Sequence, residues 1–238
     1  MSRCLLFLVA MCISSITLAE GNPVSRQLMQ ACVSVDATQV VASLRKGADP
    51  NTPSGDEDAE IFRDPWTLSL PADCKRLTPL LAIAVTSRYP NPPRVIINSQ
   101  EDAMWAARTM NGIGVQELRH RDNLKAIIAM ILISHRANLE DRDAFGGTAL
   151  FYAVSNRSLE LSKTLLRHGA DVNVQVRSFV DGPSGTTPLH QAFWSAELTQ
   201  LLLESGANPK ARDSDGRTPR DWAMQFGDSK VIKLYDME

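Results

Sequence analysis

Residues 185–223 read GTTPLHQAFWSAELTQLLLESGANPKARDSDGRTPRDWA. TPLH at Thr187 is nearly repeated as TPRD at Thr218, and between them an apolar helix ends at Gly206 before the turn residues DSDG. Working outward, the same two signatures recur along the chain. TALFYAV begins at Thr148 and TPLLAIAV at Thr78. The helix end recurs as LRKGADPN to Asn51, ISHRANLE to Glu140, LRHGADVN to Asn173 and LESGANPK to Lys210. A unit recurring in register decides architecture ahead of any local propensity.

Each residue type has a physical role in that unit. Thr187 can cap a first helix by accepting a backbone N–H bond, and Pro188 stands at the first helical position, where a missing donor costs nothing. Leu189 and Ala192, three apart, share the inward face, and the small Ala lets a neighbouring helix come close. Gly47, Gly169 and Gly206 each follow an apolar helix and can take the left-handed conformation that ends it. DAFG at Asp143 and DSDG at Asp213 supply hairpin-type turns.

These motifs resemble the ankyrin repeat, about 33 residues comprising a turn and two antiparallel helices. The resemblance runs over nearly all of residues 26–238. It implies an all-α solenoid of about five repeats with β-hairpin fingers, the first and last acting as caps. Asp221, Asp228, Lys230 and Lys233 suit the polar outer face of a terminal repeat.

Three insertions interrupt the register. From Asn51 to Thr78 there are 27 positions where Lys210 to Thr218 has 8, so residues 52–77 form an enlarged finger. It carries Asp56, Glu57 and Asp58, then Phe62 and Trp66. Residues 89–121 stand between the two helices of the second repeat, and Ser99 to Gly112 within them reads as an extra helix bearing Trp105. Residues 175–185 enlarge a third finger and bring Phe179. The fourth repeat is two residues short in its helical turn. An inserted loop with an aromatic residue can be a flap over its own core or a contact for another protein. The resemblance implies that ankyrin stacks bind through fingers and the first-helix face. That adds Tyr152, Gln191 and Trp194 as outward residues.

The amino terminus, MSRCLLFLVAMCISSITLAEGNP, has Arg3, an apolar run to about Leu18 and the small Ala19, and reads as a secretory signal over residues 1–19. The run is shorter than the roughly 20 residues a membrane span needs. The rest, 20–238, is then expected to fold as one exported domain in the periplasm or outside the cell. A lipoprotein would need a small residue before Cys12, where Met11 stands. Without the signal, Cys32 and Cys74 remain in an oxidising compartment, either bridged or as two unpaired buried thiols.

The whole chain has 25 basic and 27 acidic residues, and no basic stripe of the kind that neutralises a phosphate backbone, so nucleic acid is not an expected partner. GxSxG, HExxH, a Walker loop and a dinucleotide turn do not occur. His135 and His168 fall one repeat apart, on the order of 10 Å, too far to share a zinc. The run DEDAE lacks the oxygen spacing and glycine of a calcium loop. His190 is read as structural, with no catalytic residue, metal or cofactor expected.

The expected partner is another protein, bound by a chain that is monomeric when free. Export and small size resemble ankyrin immunity proteins that neutralise effectors of type VI secretion, such as phospholipases. An envelope scaffold supporting oxidative-stress defence and a host-directed effector are the alternatives.

Overall fold

The computed structural model describes residues 23–55, 77–85, 115–177, 183–227 and 229–236. Ten helices form five pairs: α1 (Pro23–Ser34) with α2 (Ala37–Arg45), α3 (Pro79–Val85) with α4 (Val115–Ser134), α5 (Ala149–Ser155) with α6 (Leu159–Arg167), α7 (Pro188–Gln191) with α8 (Ala196–Glu204), and α9 (Pro219–Phe226) with α10 (Ser229–Tyr235). The first helices α1, α3, α5, α7 and α9 pack successively in one layer, and the second helices α2, α4, α6, α8 and α10 in another. One apolar core runs continuously from Leu28 to Ala207, with a small second cluster of Phe193, Ala223 and Val231 under the last pair. The all-α ankyrin solenoid expected from the motifs is the fold.

The caps form as the residue types require, with one exception. Thr187 Oγ1 accepts from His190 N at 3.4 Å and Thr218 Oγ1 from Asp221 N at 3.3 Å, while the His190 and Asp221 side chains reach back to the cap N–H groups. Thr148 caps Phe151 N at 3.4 Å. Thr78 Oγ1 is buried and finds no partner among the described residues. Gly47, Gly169 and Gly206 take φ near +90° as expected, and Arg136 holds the same left-handed position with φ +67° despite its side chain.

The fingers are not β-hairpins among the described residues. Val176 and Thr186 make a single antiparallel bridge. Elsewhere a buried aspartate takes the N–H groups a strand ladder would have used. Asp143 Oδ1 accepts from Phe145 N (3.0 Å) and Gly147 N (2.8 Å), and Asp213 Oδ1 from Asp215 N (3.0 Å) and Arg217 N (2.9 Å).

Neighbouring repeats are clamped by the residue that closes each helix-end signature. Asn51 Oδ1 accepts from Asn138 N (2.7 Å) and its Nδ2 donates to the Arg136 carbonyl (3.0 Å). Asn173 repeats the pair with Asn208 N (2.8 Å) and the Gly206 carbonyl (3.2 Å). In between stands Glu140, which accepts from Asp171 N (2.8 Å) but as a carboxylate has nothing to donate. Glu140→Asn should therefore supply the missing second bond and raise unfolding free energy by about 0.5–1.5 kcal/mol, read from the urea midpoint.

The second insertion ends earlier than expected. α4 begins by residue 115, so 115–121 belong to the helix and not to the loop assigned to 89–121. The residue that follows 115–121 on the same helix serves the next repeat. Asp122 is buried, and its Oδ2 accepts from Glu160 N at 3.0 Å. It thereby caps α6 from the neighbouring repeat, while the Ser158 hydroxyl at the cap position has no partner among the described residues.

Candidate protein-binding site

Of the residues singled out from sequence, Asp56, Glu57, Asp58, Phe62, Trp66, Cys74, Trp105 and Phe179 lie outside the described residues, as do the leader and Ser99 to Gly112. Tyr152, Gln191, Trp194 and Cys32 are described. Cys32 is a free thiol at 0% exposure, and burial raises its pKa well above the usual thiol range.

Tyr152 does not face outward. It is buried, and its hydroxyl donates to Asp143 Oδ2, so the ring folds back over the finger. The position leaves no space at Gly147, where an added Cβ would lie 2.6 Å from the tyrosine ring. Gly147→Ala is expected to push the ring off Asp143 and destabilise the repeat by about 1–3 kcal/mol in a thermal or urea melt. The sequence did carry a trace of this arrangement. Trp222 stands nine residues after Asp213, as Tyr152 does after Asp143, and its Nε1–H donates to Asp213 Oδ2 at 2.8 Å.

Gln191 is half-buried, whereas Trp194 is 52% exposed. The shortened fourth repeat explains the exposure. Ten positions separate the cap Thr148 from the cap Ser158, but eight separate Thr187 from Ser195. α7 accordingly tightens into a single 3-10 turn over Ala192–Trp194, and Ser195 starts α8 at once by accepting from Leu198 N at 3.3 Å. Trp194 is left on the corner where the third repeat has its own turn through Asn156 and Arg157.

The surroundings of that corner are aromatic and cationic. Phe193 lies beneath, its ring centroid 4.3 Å from Trp194, 5.7 Å from Phe226 and 5.7 Å from Trp222. The Arg157 guanidinium carbon is 4.6 Å from the Trp194 ring centroid. Phe226, on α9, is 48% exposed. First helices start at the fingers, so these turn residues lie along the opposite edge of the stack.

Polar groups knit the fourth and fifth repeats at the finger side. His190 is fully buried: its Nδ1 accepts from Thr187 N (3.1 Å), and its Nε2–H donates to the Arg217 carbonyl (3.2 Å). Only the neutral ring with the proton on Nε2 can do both. Desolvation lowers its pKa, outweighing the Arg217 carbonyl bond that raises it. Burial alone would raise the Asp213 pKa, but the Trp222 N–H, the Arg217 backbone and the Arg217 charge bring it below the ordinary carboxylate value. Two bonds from Thr218, backbone first, lower that of Asp221.

The signs separate in pH. A folded histidine held neutral contributes stability that is present above its unfolded pKa near 6.5 and is lost as pH falls below that value. The two aspartates contribute stability above about pH 4 that is lost as pH falls through their lowered values. The melting temperature is expected to decline first below about pH 6.5, and His190→Gln should remove that first decline while leaving the acidic one.

Two of the other histidines serve their own helix ends. His135 and His168 each donate Nδ1–H to the carbonyl four residues back, Ile131 at 2.9 Å and Thr164 at 2.8 Å. Among the described residues, no group of three or more His, Cys, Asp or Glu is placed to hold a metal ion, and no helix is long and apolar enough to cross a membrane.

A family model for ankyrin repeats in three copies matches residues 118–176, and a single-repeat model matches residues 184–214. A putative E3 ubiquitin-protein ligase XBAT34 from Arabidopsis thaliana is 38% identical over 103 residues, covering 42% of this chain and 26% of the relative. The BTB/POZ domain and ankyrin repeat-containing protein NBCL of Lotus japonicus is 39% identical over 98 residues, 40% and 18% of the two chains. Human Rabankyrin-5 is 31% identical over 113 residues, 44% and 10%. The chain thus spans between a tenth and about a quarter of the length of these relatives. Residues 118–176 and 184–214 are ankyrin repeats, and the paired helices around them complete an ankyrin solenoid, a scaffold for protein–protein interaction.

Proposed function

We propose that the chain is an exported protein-binding module that neutralises a toxic effector enzyme by covering its active-site cleft, as an immunity protein of a bacterial envelope. The observation that carries the binding reading is Trp194, held half-exposed against Arg157 while the core closes without it. Tryptophan and arginine are enriched among the few residues that dominate the energetics of protein interfaces. A rigid stack of repeats presents such anchors ready-made, so little ordering is needed on binding.

Export is supported by the leader pattern of residues 1–19, with one basic residue, an apolar run and Ala19 before Glu20. Neutralisation by occlusion is supported by the chemistry of the enlarged first finger, where Asp56, Glu57 and Asp58 precede Phe62 and Trp66. Such acids steer a basic partner at long range, and the aromatics supply contact area on arrival.

The test is capture from a cell-envelope extract by the chain lacking residues 1–19, followed by assay of whatever is captured. One tight partner whose enzymatic activity is blocked by the purified chain, and which kills cells lacking the chain, is the expected result. A captured partner that works equally well in the complex would end the immunity reading and leave only a scaffold.

A further inference from the structure

The outward face of the second helices can be compared from one repeat to the next. Nine and six residues before the helix-ending positions Gly47, Arg136, Gly169 and Gly206 stand Thr38 and Val41 on α2, Ile127 and Met130 on α4, Glu160 and Lys163 on α6, and Glu197 and Gln200 on α8, none of them buried. On α6 and α8 these places are polar. Lys163 Nζ donates to Glu160 and Gln200 Nε2 to Glu204, both at 2.8 Å, as on any helix face that meets water. On α4 the same places hold two large apolar side chains, Ile127 and Met130, 46% and 51% exposed.

Beside that pair lies a groove of about 430 Å³ between α2 and α4, lined by Ala37, Thr38, Val41, Ala42, Ile131 and Arg45. The small Ala37 and Ala42 leave the space between the two helices unfilled. Arg45 stands in the last turn of α2, at the finger end of the groove, and forms no ion pair among the described residues. At the other end is Asp36, the cap of α2, whose Oδ1 accepts from Thr38 N and Gln39 N at 3.0 Å. The groove is thus apolar along its length, with a cation at one end and a carboxylate at the other. Arg167 holds the place of Arg45 on α6, where no apolar groove adjoins it, so a last-turn cation by itself only complements the helix dipole.

We propose that this groove takes an amphipathic helix of a partner protein, running antiparallel to α2 and α4 with an Asp or Glu of its first turn against Arg45. The site is separate from the fingers and from Trp194, and does not depend on the immunity reading. α2 has nine residues, about 14 Å of helix, the length over which apolar residues at i, i+4 and i+7 of a partner helix form one stripe. That stripe covers Val41, Ile131, Met130 and Ile127, and the flexible Met130 adapts to the side chain it meets. Charge fixes the direction. Acids are favoured in the first turn of a helix and bases in the last, so a helix beginning at Arg45 brings its acid to the guanidinium and its basic end to Asp36. Lys46 and Arg136, just past the ends of α2 and α4, add positive charge at the Arg45 end, against Asp49, whose Oδ1 is held by Asn51 N at 2.9 Å. The reversed helix would set acid against Asp36 and base against Arg45.

The experiment selects a randomised library of helical peptides, about eighteen residues long so that they hold helix in water, on the immobilised full-length chain, and measures the affinities of synthetic copies of the enriched peptides. Enriched sequences should carry Asp or Glu in the first turn, followed by apolar residues at helical spacing. Met130→Glu should weaken their binding about tenfold or more, by placing a charge on the apolar stripe. Arg45→Gln should weaken it about tenfold, and should have no effect on a peptide whose first-turn acid has been changed to its amide, because the two changes remove one contact. Gln200→Ala, at the place of Met130 on α8, should change nothing. All three substitutions should move the melting temperature by no more than a few degrees, which separates loss of contact from loss of fold. The proposal is overturned by no enrichment, by enriched helices without the first-turn acid, or by binding indifferent to both Met130→Glu and Arg45→Gln. It is also overturned if Met130→Glu instead abolishes binding to phosphatidylglycerol vesicles or self-association of the chain, which would give the groove to lipid or to a second copy. None of these results touches the envelope-extract capture, which is scored on the activity of the captured enzyme.

Discussion

Asp213→Ala is expected to lower the unfolding free energy by about 3–5 kcal/mol, measured by urea melts followed by circular dichroism. One buried carboxylate receives four donors from the last finger and helix. Its Oδ1 takes Asp215 N and Arg217 N at 3.0 and 2.9 Å, and its Oδ2 takes Trp222 Nε1 at 2.8 Å and Arg217 Nε at 3.3 Å. Truncation leaves those donors without their acceptor and removes the anion beneath Arg217. Asp213→Asn should recover less than half of the loss, because its amide keeps one acceptor for the backbone but turns N–H toward the Trp222 N–H. Equal stability of the two variants would mean that the carboxylate's charge and second oxygen do nothing, contrary to the geometry.

Phe151→Ala should cost about 3–5 kcal/mol, and the loss should divide the stack in two. Phe151 is fully buried on α5, in the middle repeat, and α5 is the first helix that packs against both α3 and α7. Repeat stacks are held by neighbour contacts alone, so a cavity in the central unit weakens the coupling of both flanks. Amide hydrogen exchange should show helices α7 to α10 and helices α1 to α3 losing protection at separate denaturant concentrations in the variant, and together in the parent chain. A single sharp transition in the variant would show that coupling does not pass through this side chain. The pattern matters for the solenoid as a whole, since a surface that spans several repeats holds its geometry only while they move as one.

Much of this was readable along the chain. The repeated threonine caps, the glycines after Leu44, Leu166 and Leu203, and the spacing between them specify helical pairs, because capping and left-handed turns are local requirements of a few residues. The shortened turn of the fourth repeat was legible too, as a missing pair of positions between Thr187 and Ser195. Its consequence was not: a deletion counted along the sequence does not say that Trp194 will land on Arg157, thirty-seven positions earlier. Tyr152 shows the converse. Its place in the repeat suggested an outward ring, and only the neighbouring Gly147 and the aspartate nine residues back turned it inward.

The sequence by itself determined the unit and its repetition, since every signal needed for a helix pair lies within about thirty residues and acts through short-range sterics and hydrogen bonds. What only the tertiary structure decided are the relations between units: the Asn51 and Asn173 clamps, the capping of α6 by Asp122 from another repeat, and the meeting of Arg157, Trp194 and Phe226 at one edge. Those relations depend on how far and at what angle one helical pair is displaced from the next, a quantity set by packing of the whole core and carried by no single stretch of residues.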